Sequence, residues 1–78
     1  MTRDYDWSIN RTVYLGNGDF YNICCDYKYY KEKMTEDEAW WEALSTVLMN
    51  ENINVNEIPY VIVAQMLKDC KYYYKTQF

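Results

Sequence analysis

Apolar and polar positions alternate along residues 5–15. Tyr5, Trp7, Ile9, Val13 and Leu15 fall on one face, interrupted by Arg11, and Asp6, Ser8, Asn10 and Thr12 fall on the other. A period of two is that of a half-buried strand. Gly16-Asn17-Gly18-Asp19 follows, and its Asn-Gly and Gly-Asp steps suit a turn that takes positive φ. Residues 20–30 alternate again, with Tyr21, Ile23, Cys25, Tyr27 and Tyr29 on one face and Phe20, Asn22, Cys24, Asp26 and Lys28 on the other. Two alternating runs about a Gly-Asn-Gly turn predict a β-hairpin over residues 5–30.

The pattern then changes period. Thr35-Glu36-Asp37-Glu38 has the form of a capping box, with Thr35 as N-cap and three acids at the positive end of the helix dipole. Ala39, Trp40, Ala43, Leu44, Val47 and Leu48 make an apolar stripe at helical spacing, so a first helix is predicted over 35–50. A polar connector, Asn50 to Glu57, leads to a second predicted helix over 56–74, with Pro59 tolerated in its first turn. Ile58, Ile62, Met66 and Cys70 recur every fourth residue, Val55 and Tyr73 extend the stripe, and Val61, Val63 and Leu67 widen it. Lys68, Lys71 and Lys75 suit the negative end of this helix. The expected fold is α+β: one domain, residues 1–78, in which an N-terminal antiparallel β-hairpin packs against two C-terminal α-helices. A hairpin alone is marginal and needs helices on its apolar face. Its two open edges predict pairing between copies in a homodimer.

Composition narrows the classes. The chain has 78 residues, half of them hydrophobic, and a net charge of −4. No apolar run approaches the ~20 residues of a membrane span. Met1 to Asp6 lacks the apolar segment of a secretory leader, so a cytoplasmic protein is expected. Cys24, Cys25 and Cys70 are an odd set and are expected as reduced thiols.

Fifteen side chains are aromatic, ten of them tyrosine. So small a domain cannot enclose them all, and clustered surface aromatics mark protein contacts. Consecutive rings on a helix cannot share one face: Trp40 fits the first stripe, and Trp41 lies about 100° away. The expected contact residues are the anchors Trp41, Tyr29, Tyr30 and Tyr74, with Glu36, Asp37, Glu42 and Asp26 as the surrounding charges. The expected partner is a larger protein with a basic or mixed surface.

Catalysis is poorly provided for. There is no histidine for acid–base work or to activate a thiol, and Asp26 beside Cys24 and Cys25 would raise a thiol pKa. Glu38 and Glu42 share a helical face but read as a solvated flank. Asn50, Asn52, Asn54 and Asn56 lack the aspartates, central glycine and final glutamate of a calcium loop. Three thiols without CxxC spacing make no zinc site, so no metal or cofactor is expected. Acidity argues against nucleic acid, although Lys28, Lys31 and Lys33 lie near Tyr29 and Tyr30, where stacked single-stranded bases would fit. In composition alone (tiny, acidic, rich in tyrosine) the chain resembles the small inhibitors that bacteriophages and mobile elements encode against host defence enzymes; the resemblance covers no particular residues. A non-catalytic protein-binding module, in its sharpest form such an inhibitor, is therefore expected. A structural homo-oligomeric subunit and a weak single-stranded nucleic-acid binder are the alternatives.

Overall fold

A computed structural model describes residues 1–78. The elements are β1 (Arg3–Ser8), β2 (Arg11–Leu15), α1 (Asn17–Tyr30), α2 (Glu36–Asn50) and α3 (Tyr60–Gln77), with one 3-10 turn at Val55–Glu57 ahead of α3. The fold is α+β, an N-terminal antiparallel hairpin followed by helices, as the sequence pattern predicts.

The hairpin is shorter than predicted, and residues 17–30 are helix rather than its second strand. The chain reverses at Ile9-Asn10, where Ile9 is fully exposed. Arg3 pairs with Leu15, Tyr5 with Val13 and Asp6 with Thr12, and a bulge at Trp7 shifts the register before Ser8 meets Arg11. The reason for the helix is its own apolar set. Phe20, Ile23, Cys24 and Tyr27 stand at i, i+3, i+4 and i+7, and all four are buried. Alternation would have put Phe20 and Ile23 on opposite faces, whereas both are fully enclosed. Nor does Gly16-Asn17-Gly18-Asp19 make a hairpin turn. No glycine has positive φ; Gly16 is the N-cap of α1, and its N–H donates to Asp19 Oδ2 at 2.8 Å.

Helix α2 buries the six residues of the predicted stripe. Thr35 caps it: the Glu38 N–H donates to Thr35 Oγ1 at 3.4 Å, and the Thr35 hydroxyl donates to Glu38 Oε1 at 2.9 Å. The helix ends in a Schellman turn. Asn52 takes φ 63°, its N–H donates to Met49 O at 2.9 Å, and the Ile53 N–H donates to Leu48 O at 2.9 Å. Pro59 lies at the N-cap of α3 rather than inside it, and the 3-10 turn carries the buried Val55 and Ile58 into the core.

Helix α1 is the centre of the molecule. It packs along α2 and also against α3 and β2, whereas α2 and α3 touch each other little and leave a cleft between them. The hairpin is pinned to α3 by the one buried charged residue, Asp69. It accepts from Tyr5 Oη at 2.7 Å, Gln65 Nε2 at 3.0 Å and Arg3 Nη1 at 3.4 Å. No helix is long and apolar enough to cross a membrane.

Candidate protein-docking surface

Of the fifteen rings, only Tyr5, Phe20, Tyr27, Trp40 and Tyr73 are buried. Trp7, Tyr30, Trp41 and Tyr74 are half-buried, and the other six are exposed. The buried rings other than Tyr5 form the inner part of a continuous cluster. Tyr27 lies flat on Trp40 with centroids 3.8 Å apart, Tyr74 meets both edge-on at 5.2 and 5.7 Å, and Phe78 lies on Tyr74 at 5.3 Å. Phe20 stacks on Tyr73 at 5.9 Å. Trp40 Nε1 is buried with no hydrogen-bond partner.

Trp41 belongs to none of this. The capped start of α2 fixes the helix's rotation, the stripe turns Trp40 inward, and Trp41 is left facing the cleft. There it borders two hollows. One, of about 410 Å³, lies between α2 and α3: Trp41, Ala64 and Leu67 give it an apolar floor, Asp37 stands on the α2 side, and Lys68 and Lys71 stand on the α3 side. Tyr60, 73% exposed, also lines it. The other, of about 280 Å³, lies on the far side of Trp41 and is lined by Met34, Asp37, Glu38 and Glu42. The ion pairs of the chain are Arg3–Asp69 and Arg11–Glu57, so none of these charges has an opposite partner within 4 Å.

The structure therefore brings Trp41, Asp37 and Glu42 together, with the exposed Glu36 one residue upstream at the start of the same helix. It does not bring the other expected anchors to the acids. Tyr29 and Tyr74 are attended by lysines instead, and Tyr30 packs on Tyr29. Lys33 Nζ donates to Tyr29 Oη at 2.7 Å and lies 4.3 Å from a ring centroid; that hydrogen bond raises the Lys33 pKa. Lys31 Nζ donates to Tyr74 Oη at 3.4 Å, and Lys28 lies over Phe78. Tyr30 meets Tyr29 edge-on.

Asp26 lies in a third place, a hollow of about 310 Å³ between α1 and the end of α2 that it shares with Asp19, Cys25 and Glu51. Desolvation raises the Asp26 carboxyl, and desolvation followed by the neighbouring Asp19 pushes Glu51 up to about 6. The two buried thiols are quiet: burial, then Cys25, pushes Cys24 up to about 12, and burial likewise raises Cys70. All three cysteines are free.

The α3 wall of the groove was not foreseen from the sequence. Tyr60, Ala64, Lys68 and Lys71 stand at i, i+4, i+8 and i+11, the spacing of one helical stripe. The lysines suit the helix dipole, as their sequence position predicts, and Lys68 and Lys71 also form the wall of the groove. No protein-family model, curated protein or solved structure matches this chain.

Proposed function

We propose that this chain is a non-catalytic protein-binding module that docks a larger protein through the α2/α3 face and acts by occluding or bridging it. The observation that carries the reading is Trp41, a half-buried indole between two hollows and beside carboxylates that nothing in the chain neutralises. Tryptophan in such a setting is the residue most enriched among binding hot spots, and truncating one costs ≥ ~2 kcal/mol. Asp37 and Glu42 at the rim would speed encounter with a basic surface more than they would add to affinity. An inhibitor of a larger enzyme, of the kind mobile elements encode, is the sharpest form of this reading.

The test is affinity capture from cells in which the chain occurs, with wild type and Trp41→Ala side by side and far-ultraviolet circular dichroism to show that both are folded. A loss of ~2 kcal/mol is about 30-fold in dissociation constant, so a protein retained by the wild type should be nearly absent from the variant. Equal recovery would remove Trp41 as the anchor.

The lysines over Tyr29, Tyr74 and Phe78 favour one second reading, a weak contact with single-stranded nucleic acid. It requires retention on single-stranded DNA that falls steeply with salt and disappears in Lys31→Glu/Lys33→Glu.

A further inference from the structure

We propose that the α2/α3 face is self-complementary, and that a second copy of this chain seats on it about a two-fold axis running along the groove. The inference rests on the reading that this face docks protein, and it names the occupant when no larger partner is present.

Charge is segregated across the cleft. Helix α2 carries Glu36, Asp37, Glu38 and Glu42 and no basic residue. Helix α3 carries Lys68, Lys71 and Lys75, and its one acid, Asp69, is buried against Tyr5 and Arg3. Asp37 on one wall and Lys68 and Lys71 on the other line the same hollow, yet stand too far apart to pair. A rotation of 180° about an axis along the groove keeps each residue at its own level and exchanges the two walls. The acidic wall of one copy then faces the basic wall of the other, and the reverse holds at once, which is the condition for an isologous interface.

Shape follows the same operation. Trp41 lines the groove on the α2 side, and the exchange sets it opposite Ala64 and Leu67 on the α3 side of the other copy, so apolar floor meets apolar floor. Tyr60, 73% exposed, lines the groove and loses solvent with the contact. An axis across the groove would instead set acid against acid and base against base. This interface differs from the strand-edge pairing that a bare hairpin suggests. It also hides Trp41, so a larger partner would have to displace the second copy.

Sedimentation equilibrium with swapped charges tests the inference. At roughly 100 µM, well above a micromolar dissociation constant, the wild type should show about twice the chain mass of 9.6 kDa. Asp37→Lys/Glu42→Lys and Lys68→Glu/Lys71→Glu should each sediment as monomers, and mixing the two in equal amounts should restore the doubled mass. Asp37 and Lys71 are both exposed and both line the groove, so Asp37→Lys and Lys71→Glu give the same readout if a double variant loses its helical circular dichroism. A wild type that stays at 9.6 kDa overturns the inference, as does a pair of swapped variants that associate like the wild type or fail to associate when mixed. A monomer leaves the docking of a larger protein to be decided by capture with Trp41→Ala, which does not depend on self-association.

Discussion

Removing one oxygen, in Tyr5→Phe, should cost more than its size suggests. The Tyr5 hydroxyl donates to Asp69 Oδ2 at 2.7 Å in a site where Asp69 is 6% exposed, and this contact joins β1 to α3 across 64 residues of sequence. A hydrogen bond to a charged acceptor contributes about 1.5–3 kcal/mol. Asp69 would keep Gln65 at 3.0 Å and the half-exposed Arg3 at 3.4 Å, so the carboxylate is not stripped bare and the lower part of that range applies, ~1.5–2 kcal/mol. With a urea slope of ~1 kcal/mol/M for so small a domain, the unfolding midpoint should fall by ~1.5–2 M at unchanged slope. In a cycle with Asp69→Asn the two sites should couple by ~1 kcal/mol or more. The pH dependence has a definite sign. Burial, then the Asp69 bond and charge, hold the Tyr5 phenol well above its ordinary value near 10. The bond is therefore fully present at neutral pH, and its contribution is lost only as pH rises above 10, where the unfolded chain ionises and the folded chain does not. A Tyr5→Phe midpoint within ~0.5 M of the wild type, about 0.5 kcal/mol at that slope, would refute the claim that this bond pins the hairpin.

Two further outcomes follow from the ionisable groups. In the native protein a thiol reagent should modify the half-buried Cys25 first, with Cys24 and Cys70 reacting only in denaturant; equal rates for all three would contradict the burial that holds Cys24 near 12. The Glu51 carboxyl, raised from near 4.5 to about 6, gives its stability below pH 4.5 and loses it as pH rises through 6, because over that interval the folded chain holds a proton the unfolded chain has released. Glu51→Gln should therefore raise the urea midpoint at pH 7 and leave it unchanged at pH 4. The gain should be under ~1 kcal/mol because Glu51 is largely exposed and its interactions are screened. A lower midpoint at pH 7 would refute that sign.

The elements whose signals are local were legible. Thr35 with Glu38 and the six-residue apolar stripe specify α2 by themselves, and the observed helix follows them. Helix α1 was not legible as helix, because the residues 20–30 satisfy two periods. Tyr, Ile and Cys fill alternate positions while Phe20, Ile23, Cys24 and Tyr27 also fill a helical face. The competition is settled outside the segment. A strand there would leave backbone groups to be paired by neighbours, whereas a helix bonds its own and presents Phe20 to Tyr73 and Tyr27 to Trp40. Glycine misled in the same way: Gly16 serves as a cap, a use that Asp19 three residues on could have signalled. Trp41 could be set apart from the core by its angle to Trp40 alone. Its groove could not, because Ala64, Lys68 and Lys71 come from a helix whose packing on α2 depends on the α1 that the pattern concealed.

The central claim is that the rings left outside the core, Trp41 foremost, exist to hold another polypeptide. Its most direct measurement places a photo-crosslinking phenylalanine analogue at Val61, exposed and next in sequence to the groove-lining Tyr60, and at Asn56, exposed on the connector, and irradiates each variant in cells where the chain occurs. The account expects one dominant polypeptide adduct at position 61, a second copy or a larger protein, and none at 56. The same faint adducts at both positions, or none at 61, would contradict it.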